Sequence, residues 1–499
     1  MTNNYKQYKN IIQRAADYNN AAAVLGWDQE VYMPPKAFAF RGRQLSTLAS
    51  QAHELVTSKE YEKLLKELSQ DASLNDEQRD NVRISLEDFE KNKKLSAAFI
   101  EELTAQSTAS FSAWLQARQQ NDYSLYAPEL QKMIDLKKQQ AALYGYEKNP
   151  YDALLDDYEK GATVAMLDPI FTTVKKELHP LLEAIMNAQQ VDDHFFYQHF
   201  PKQQQFDFSM DVLQKMGFDF DAGRQDFSEH PFTTSFAPTD VRITTRVNEE
   251  DYTSLLWSSI HEGGHGLYEQ GLPEAQYGMP LGAAASLSIH ESQSRIWENN
   301  IGRSLDFWKY FYPKLQAYFN EQLKDVSTKT FYKGMNKVQP SLIRTEADEL
   351  TYHFHVMIRY EIEKALFNNE LHAKDLAAIW NEYYKKYLGV SSTNDKQGVL
   401  QDVHWSHGSF GYFPTYSLGS FYATQFFAQA VTDLNHLQEN IQRGDFGTFL
   451  KWLREHIHQY GRRYRSEELC KRITGKSLDF NYFLNYAKQK YAEIYDVAL

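Results

Sequence analysis

The chain has 499 residues, enough for a large core, and carries 53 Lys and Arg against 66 Asp and Glu for a formal net charge of −13. That balance excludes nucleic acid and anionic membrane as partners, since both require a basic patch. The single cysteine, Cys470, excludes a disulfide framework and a cysteine-rich metal site. No apolar run approaches a membrane span, and the polar opening Met1-Thr2-Asn3-Asn4-Tyr5-Lys6 has no apolar signal core, which together predict a soluble cytoplasmic protein.

Helical periodicity covers residues 5–25, with Tyr8, Ile11, Ile12, Ala15 and Ala16 on one side, and Met33-Pro34-Pro35 breaks it. A second helix is predicted from about Phe40 to Leu55. A third runs from a cap at Asn75 or Asp76 to about Lys93. Further helices are expected over 95–118, 127–144 and 167–186, the second of these stopped by Gly145. Residues 194–205 read as an irregular crossing. Along 240–247, Val241, Ile243, Thr245 and Val247 alternate with Arg242, Thr244 and Arg246, the period of a half-buried strand. It serves either as a surface for β-addition of a peptide or as part of a small hairpin. Helices then follow over 252–270, 283–302, 305–326, 343–368 and 373–387, and a glycine-rich loop over 398–419. Three last helices cover 420–443, 445–474 and 479–496. No linker, repeat or low-complexity block interrupts the chain, so a single domain over 1–499 of mostly α class is predicted, with a small β element. Aromatic residues make up 14% of the chain, which fits ring packing between helices.

The chemistry centres on Ile260-His261-Glu262-Gly263-Gly264-His265, an H-E-x-x-H pattern. On a helix His261 and His265 lie one turn apart on one face and can hold one zinc ion. Glu262, about 100° round the helix, is placed to take a proton from a water beside the metal without ligating it. Glycine costs a helix interior roughly 1 kcal/mol against alanine, so the adjacent pair Gly263 and Gly264 implies close approach of another backbone or a substrate. With one cysteine in the chain, the third ligand must be His, Asp or Glu. Glu291 is the candidate, 291 − 265 = 26 residues after the second histidine, beside the small residues Ala283-Ala284-Ala285-Ser286 that permit close helix packing. Glu269 and Glu298 are the next carboxylates.

Arg344 and Asp348 are four apart on the predicted helix 343–368, either as a surface ion pair or as a fork held for a substrate carboxylate. Arg242 and Arg246 are further cations near the metal segment. Gln401, Asp402 and His404 stand beside a loop of Gly and Tyr, and the phenols of Tyr412 and Tyr416 are each suited to stabilise an oxyanion.

Together these segments resemble the M32, or carboxypeptidase Taq, family of metallocarboxypeptidases. The likeness is carried by Asp240-x-Arg242-x-Thr244, the His261–His265 pentapeptide, His290-Glu291-Ser292-Gln293, Ile343-Arg344-x-x-Ala347-Asp348, and Gly398-x-x-Gln401-Asp402-x-His404-Trp405. It extends to Trp27-Asp28, Met33-Pro34, Tyr151–Asp156 and Gly411–Tyr416, with Tyr32 standing where the pattern has Thr. The resemblance implies one large helical domain with a deep active-site groove, of the H-E-x-x-H (gluzincin) type, and a homodimer. It implies zinc, with cobalt as substitute, on His261, His265 and Glu291, and Glu262 as general base and then proton donor. It implies that Arg344 holds a peptide's free C-terminal carboxylate and that His404 and Tyr416 meet substrate and oxyanion. The expected activity is release of single C-terminal residues with broad preference. The rivals are an endopeptidase or dipeptidyl carboxypeptidase on a related cleft, and a catalytically inactive zinc-stabilised scaffold.

Overall fold

Helices carry the chain in the computed structural model, which describes residues 2–498. Their starts follow ordinary capping chemistry. Asn75 accepts from Gln78 N at 2.9 Å while the Gln78 side chain accepts from Asn75 N at 3.1 Å, closing a capping box at the head of Asp76–Asn92. Two compact units form, each from three separated stretches of chain. One takes Met1–Lys93, Asp192–Met335 and Tyr422–Leu478; the other takes Lys94–Val191, Asn336–Phe421 and Asp479–Leu499.

The first unit opens with α1 (Asn3–Val31) and α2 (Phe38–Val56), the first helix ending just before the expected break at Met33-Pro34-Pro35. The stretch 194–205 expected as an irregular crossing is irregular only as far as residue 201, with a 3₁₀ turn at His194–Phe196; its last four residues already belong to α3 (Lys202–Met216). The alternating segment is a strand, but one of three: β1 (Gly223–Phe227), β2 (Thr233–Ala237) and β3 (Asp240–Thr245), in the order β1-β3-β2. Strand β3 is parallel to β1 and antiparallel to β2. Being central, it has no edge to which a peptide could add, and Thr244 is buried along with the apolar positions. The hairpin reading is the one that fits.

The metal helix is α4 (Tyr252–Glu269), capped by Asp251, whose side chain accepts from Thr253 N at 2.9 Å. Its glycines have the expected purpose. A Cβ on Gly264 would stand 2.6 Å from Gln293 O and 2.7 Å from the Ser294 Cα of α5 (Leu287–Arg295). On Gly263 it would strike Leu213 of α3. The helix expected over 283–302 is thus shorter, starts at the Ser286 cap, and passes into a π-helical stretch at Ile296–Gly302.

In the second unit the core helix is α6 (Thr351–Phe367), buried along almost all its faces. It starts later than the expected residue 343, because Asp348 caps it, accepting from Leu350 N at 2.9 Å and Thr351 N at 3.0 Å. Arg344–Glu346 is a separate 3₁₀ turn. Helix α7 (Pro414–Asp433), which runs from the second unit into the first, instead begins before its expected start, at the proline suited to a first helical turn. In the first unit the helix predicted over 445–474 is broken: Gly461, at φ +48°, packs where a side chain would strike Leu281 O.

Candidate active site

Helix α4 presents His261 and His265 one turn apart, and α5 brings Glu291 to them. Their Nε2 atoms lie 3.6 and 3.4 Å from Glu291 Oε2, and ligand atoms of all three lie within 4.8 Å of one another. Ligand atoms about 2.0–2.1 Å from a tetrahedral ion stand about 3.3 Å apart, so the trio fits a small divalent metal. Each member is held from behind. His261 Nδ1 meets Glu298 Oε2 at 2.8 Å, His265 Nδ1 meets His290 Nδ1 at 2.5 Å, and Glu291 Oε1 accepts from Arg295 Nε at 2.7 Å. Both imidazoles therefore keep Nε2 for the metal position.

Burial alone would raise the Glu291 pKa. Arg295, then His261 and His265, outweigh it and hold the carboxyl far below its usual range. Glu298 is held low in the same way, against burial, by Arg295, His261 and Arg303. The donor set is thus two imidazoles and an ionised carboxylate, as a zinc-type site requires. Glu269 and Glu298, the alternative third carboxylates, are elsewhere: Glu298 binds the back of His261, and Glu269 accepts from His290 Nε2 at 2.8 Å.

Glu262 points off the ligand face, buried at 8% exposure, and its Oε2 accepts from Thr233 Oγ1 of β2 at 2.6 Å. Sequence reading overlooked Thr233, 29 residues upstream, because no local pattern ties it to the helix. It overlooked Glu298 as a support for the same reason. Arg295 was findable, as it follows Glu291 by one helical turn.

Within the second unit Arg344 is buried at 5% exposure. The expected pairing with Asp348 does not form: the two are not on one helix, and Asp348 is engaged in capping α6. Asp402 Oδ1 instead accepts from Arg344 Nε at 3.0 Å and Nη2 at 2.9 Å, while Nη1 donates to Tyr352 OH at 3.0 Å. Asp402 Oδ2 accepts from Arg359 Nε at 2.7 Å, so one carboxylate steadies two arginines and is itself held low by them against burial. Gln401 is a strut: its Oε1 accepts from Arg344 N at 3.0 Å and Arg359 Nη2 at 2.8 Å, and its Nε2 donates to Leu342 O at 3.0 Å. Arg359 and Tyr352 had no sequence signal.

The Arg344 guanidinium lies 4.9 Å over the Tyr416 ring, and Tyr416 OH is 3.2 Å from His404 Nε2. Tyr412 packs its ring 5.1 Å from His404 and 5.2 Å from Tyr416. Burial, then Arg344, depress His404 to about 3, so its ring is neutral at pH 7. His404 Nδ1 is buried with no partner among the described residues. An orphaned lone pair costs less than an orphaned N–H, which puts the ring proton on Nε2.

Within the first unit, Arg242 does not face the metal helix. Ile243 faces α4, where it would touch a Cβ on Gly266, so Arg242 points to the opposite face of the sheet. There it binds Asp240 at 3.0 and 3.1 Å and lies 4.4 Å over Trp27. Arg246 is exposed just beyond β3. Tyr32, the departure from the family pattern, donates to Asp226 at 2.5 Å.

The family pattern described as "Carboxypeptidase Taq (M32) metallopeptidase" matches residues 7–491. The chain belongs to this family. It is a metallocarboxypeptidase, a hydrolase of peptide bonds. Its M32 relatives include "Thermostable carboxypeptidase 1" of Thermus thermophilus, 39% identical with 98% of this chain and 99% of that one covered. "Carboxypeptidase 1" of Bacillus subtilis is 38% identical over 98% of each chain. The crystal structure of the M32 carboxypeptidase from Deinococcus radiodurans superposes with a TM-score of 0.97 at 39% identity, covering 99% of this chain and 100% of that one.

Proposed function

We propose that this M32 enzyme uses zinc, or cobalt in its place, to remove single residues of broad identity from peptides with a free C-terminus. The observation that carries the zinc reading is the convergence of His261, His265 and Glu291, with each imidazole's Nδ1 already engaged. Bound there, the metal would polarise the scissile carbonyl and lower the pKa of water. Glu262 takes the proton from the attacking water and delivers it to the departing nitrogen. Thr233 holds one carboxylate oxygen and so keeps the other aimed. Arg344, its fork set by Asp402 and Tyr352, pairs with the substrate's terminal carboxylate through its remaining N–H groups. His404 donates Nε2–H to the Tyr416 phenol oxygen and polarises the O–H that Tyr416 gives to the oxyanion. Tyr412 packs this pair in place, while Gln401 and Asp402 serve through the arginines. Arg242 supports the sheet.

The match over residues 7–491 supports reading both units as one peptidase domain spanning 1–499. A cytoplasmic homodimer is the assembly and location in keeping with the family resemblance, and one buried cysteine suits a reducing compartment. The test pairs peptides that differ only in a free or amidated C-terminus. Zinc-loaded enzyme should shorten the free-ended peptide one residue at a time and spare the amide, read by mass spectrometry. Internal cuts or released dipeptides would contradict the reading.

A further inference from the structure

We infer that Glu269 and His290 form a positioning relay that sets the tautomer of His265 and so fixes how tightly the metal is held. The inference rests on the metal reading above. His261, His265 and Glu269 follow one another at single-turn intervals along one face of α4. His290, next to Glu291 on α5, inserts between the last two: its Nδ1 is 2.5 Å from His265 Nδ1 and its Nε2 is 2.8 Å from Glu269 Oε1. Two facing ring nitrogens bond only when one of them alone carries a proton. The assignment is decided at the carboxylate end. Glu269 is an acceptor and takes N–H from His290 Nε2. A His290 ring whose proton sits on Nε2 presents a bare Nδ1, which accepts from His265 Nδ1–H. His265 is left with its lone pair on Nε2, the atom 3.4 Å from Glu291 Oε2. The other tautomer would put a proton where the metal belongs.

His261 reaches the same state through one carboxylate, Glu298, which Arg295 and Arg303 balance at 3.0 and 3.3 Å. The two ligands are thus supported unequally, one by a compensated carboxylate and one through a second imidazole. The rings are already packed: Tyr268 sits 5.2 Å from His290. Replacing His290 by Phe keeps a ring there and removes both nitrogens.

The experiment measures the dissociation constant for Zn²⁺ by chelator competition on the full chain. His290→Phe should weaken it by about 10–100-fold, the scale for losing a partner behind a metal ligand. His290→Gln, which can accept from His265 and donate to Glu269, should recover to within about fivefold of wild type. Glu269→Leu should weaken binding at least tenfold, and Glu269→Gln, which keeps an acceptor oxygen, far less. A role confined to packing would lower the melting temperature of these variants without separating Phe from Gln in zinc affinity. In the unaltered zinc-loaded protein, histidine ¹⁵N–¹H spectra should show His265 protonated at Nδ1. If wild type does not bind Zn²⁺, the metal reading falls first. If it binds and His290→Phe binds within twofold of it, the relay is overturned and the metal reading stands. Should His290→Phe not fold, Glu269→Leu and the spectrum decide, and a bare His265 Nδ1 would refute the relay.

Discussion

Arg344 keeps its fork still through Tyr352 and Asp402, which lie 8 and 58 residues along the chain. Removing it leaves Asp402 paired with Arg359, so no buried charge is stranded and the unit should fold. Arg344→Ala should therefore lower kcat/KM on free-ended peptides by roughly 2–4 kcal/mol, the scale for a lost buried charged partner. Residual cleavage of amidated peptides should hardly change. Equal losses on both would assign Arg344 to the fold instead. The same residue shows what sequence could and could not disclose. His261, Glu262 and His265 were legible because one helical turn dictates their geometry, and Glu291 because small residues precede it. Thr233, Glu298 and Asp402 acquire their roles through pairings over 29, 37 and 58 residues, for which a linear pattern has no period.

At the scale of elements, the glycine pair in α4 was readable as a close approach, and the structure supplies the backbone it approaches. Gly264→Ala would force Gln293 and Ser294 away, so it should lower stability by about 1–3 kcal/mol through overpacking and loosen Glu291 against the histidines. Calorimetry with a zinc titration checks both; an unchanged melting temperature would mean the helices can separate freely. The segment 343–368 was misread because Arg344 and Asp348 have helical spacing, whereas Asp348 actually ends the turn and starts α6. Helix α6 also carries Glu363, which accepts from Trp405 Nε1 at 2.6 Å, Tyr151 OH at 2.5 Å and Gly411 N at 2.8 Å, pinning the loop that bears His404 and Tyr412. Burial raises its pKa from 4.5 to about 7 despite those donors. The folded state thus binds this proton more tightly than the unfolded chain. Its contribution to stability is complete below about pH 4.5 and is lost as pH rises through 7, on the order of 3 kcal/mol. Glu363→Gln cannot titrate. The melting temperature of wild type relative to Glu363→Gln should fall between pH 5 and 7.5, and a constant difference would contradict the account.

For the whole molecule, the mostly helical class was legible from periodicity, and the absence of any linker is explained by the interleaving of three stretches in each unit. The chain passes between the units five times, once inside helix α7 and otherwise through short turns or loops, so no long linker marks a boundary. Strands β1 and β2 were missed because five-residue segments such as Gly-Arg-Gln-Asp-Phe lack alternation. Among the described residues no helix is long and apolar enough to cross a membrane. The net charge of −13 has a kinetic consequence. The mean field repels anionic peptides, and salt screens it. Raising NaCl from about 20 to 300 mM should increase kcat/KM for an acidic peptide by roughly two- to tenfold, lower it for a basic one, and leave kcat nearly unchanged. Parallel responses of both peptides would show that local charge, not the whole-molecule field, governs capture.

The most direct test of the account is Glu262→Gln, assayed for zinc content and turnover on one free-ended peptide. Its amide should keep the bond to Thr233 and leave His261, His265 and Glu291 in place, so zinc should remain stoichiometric. Without a base for the attacking water, kcat should drop by about 10²–10⁴-fold. A zinc-loaded variant retaining more than about a tenth of wild-type kcat would remove Glu262 from the chemistry and overturn the mechanism.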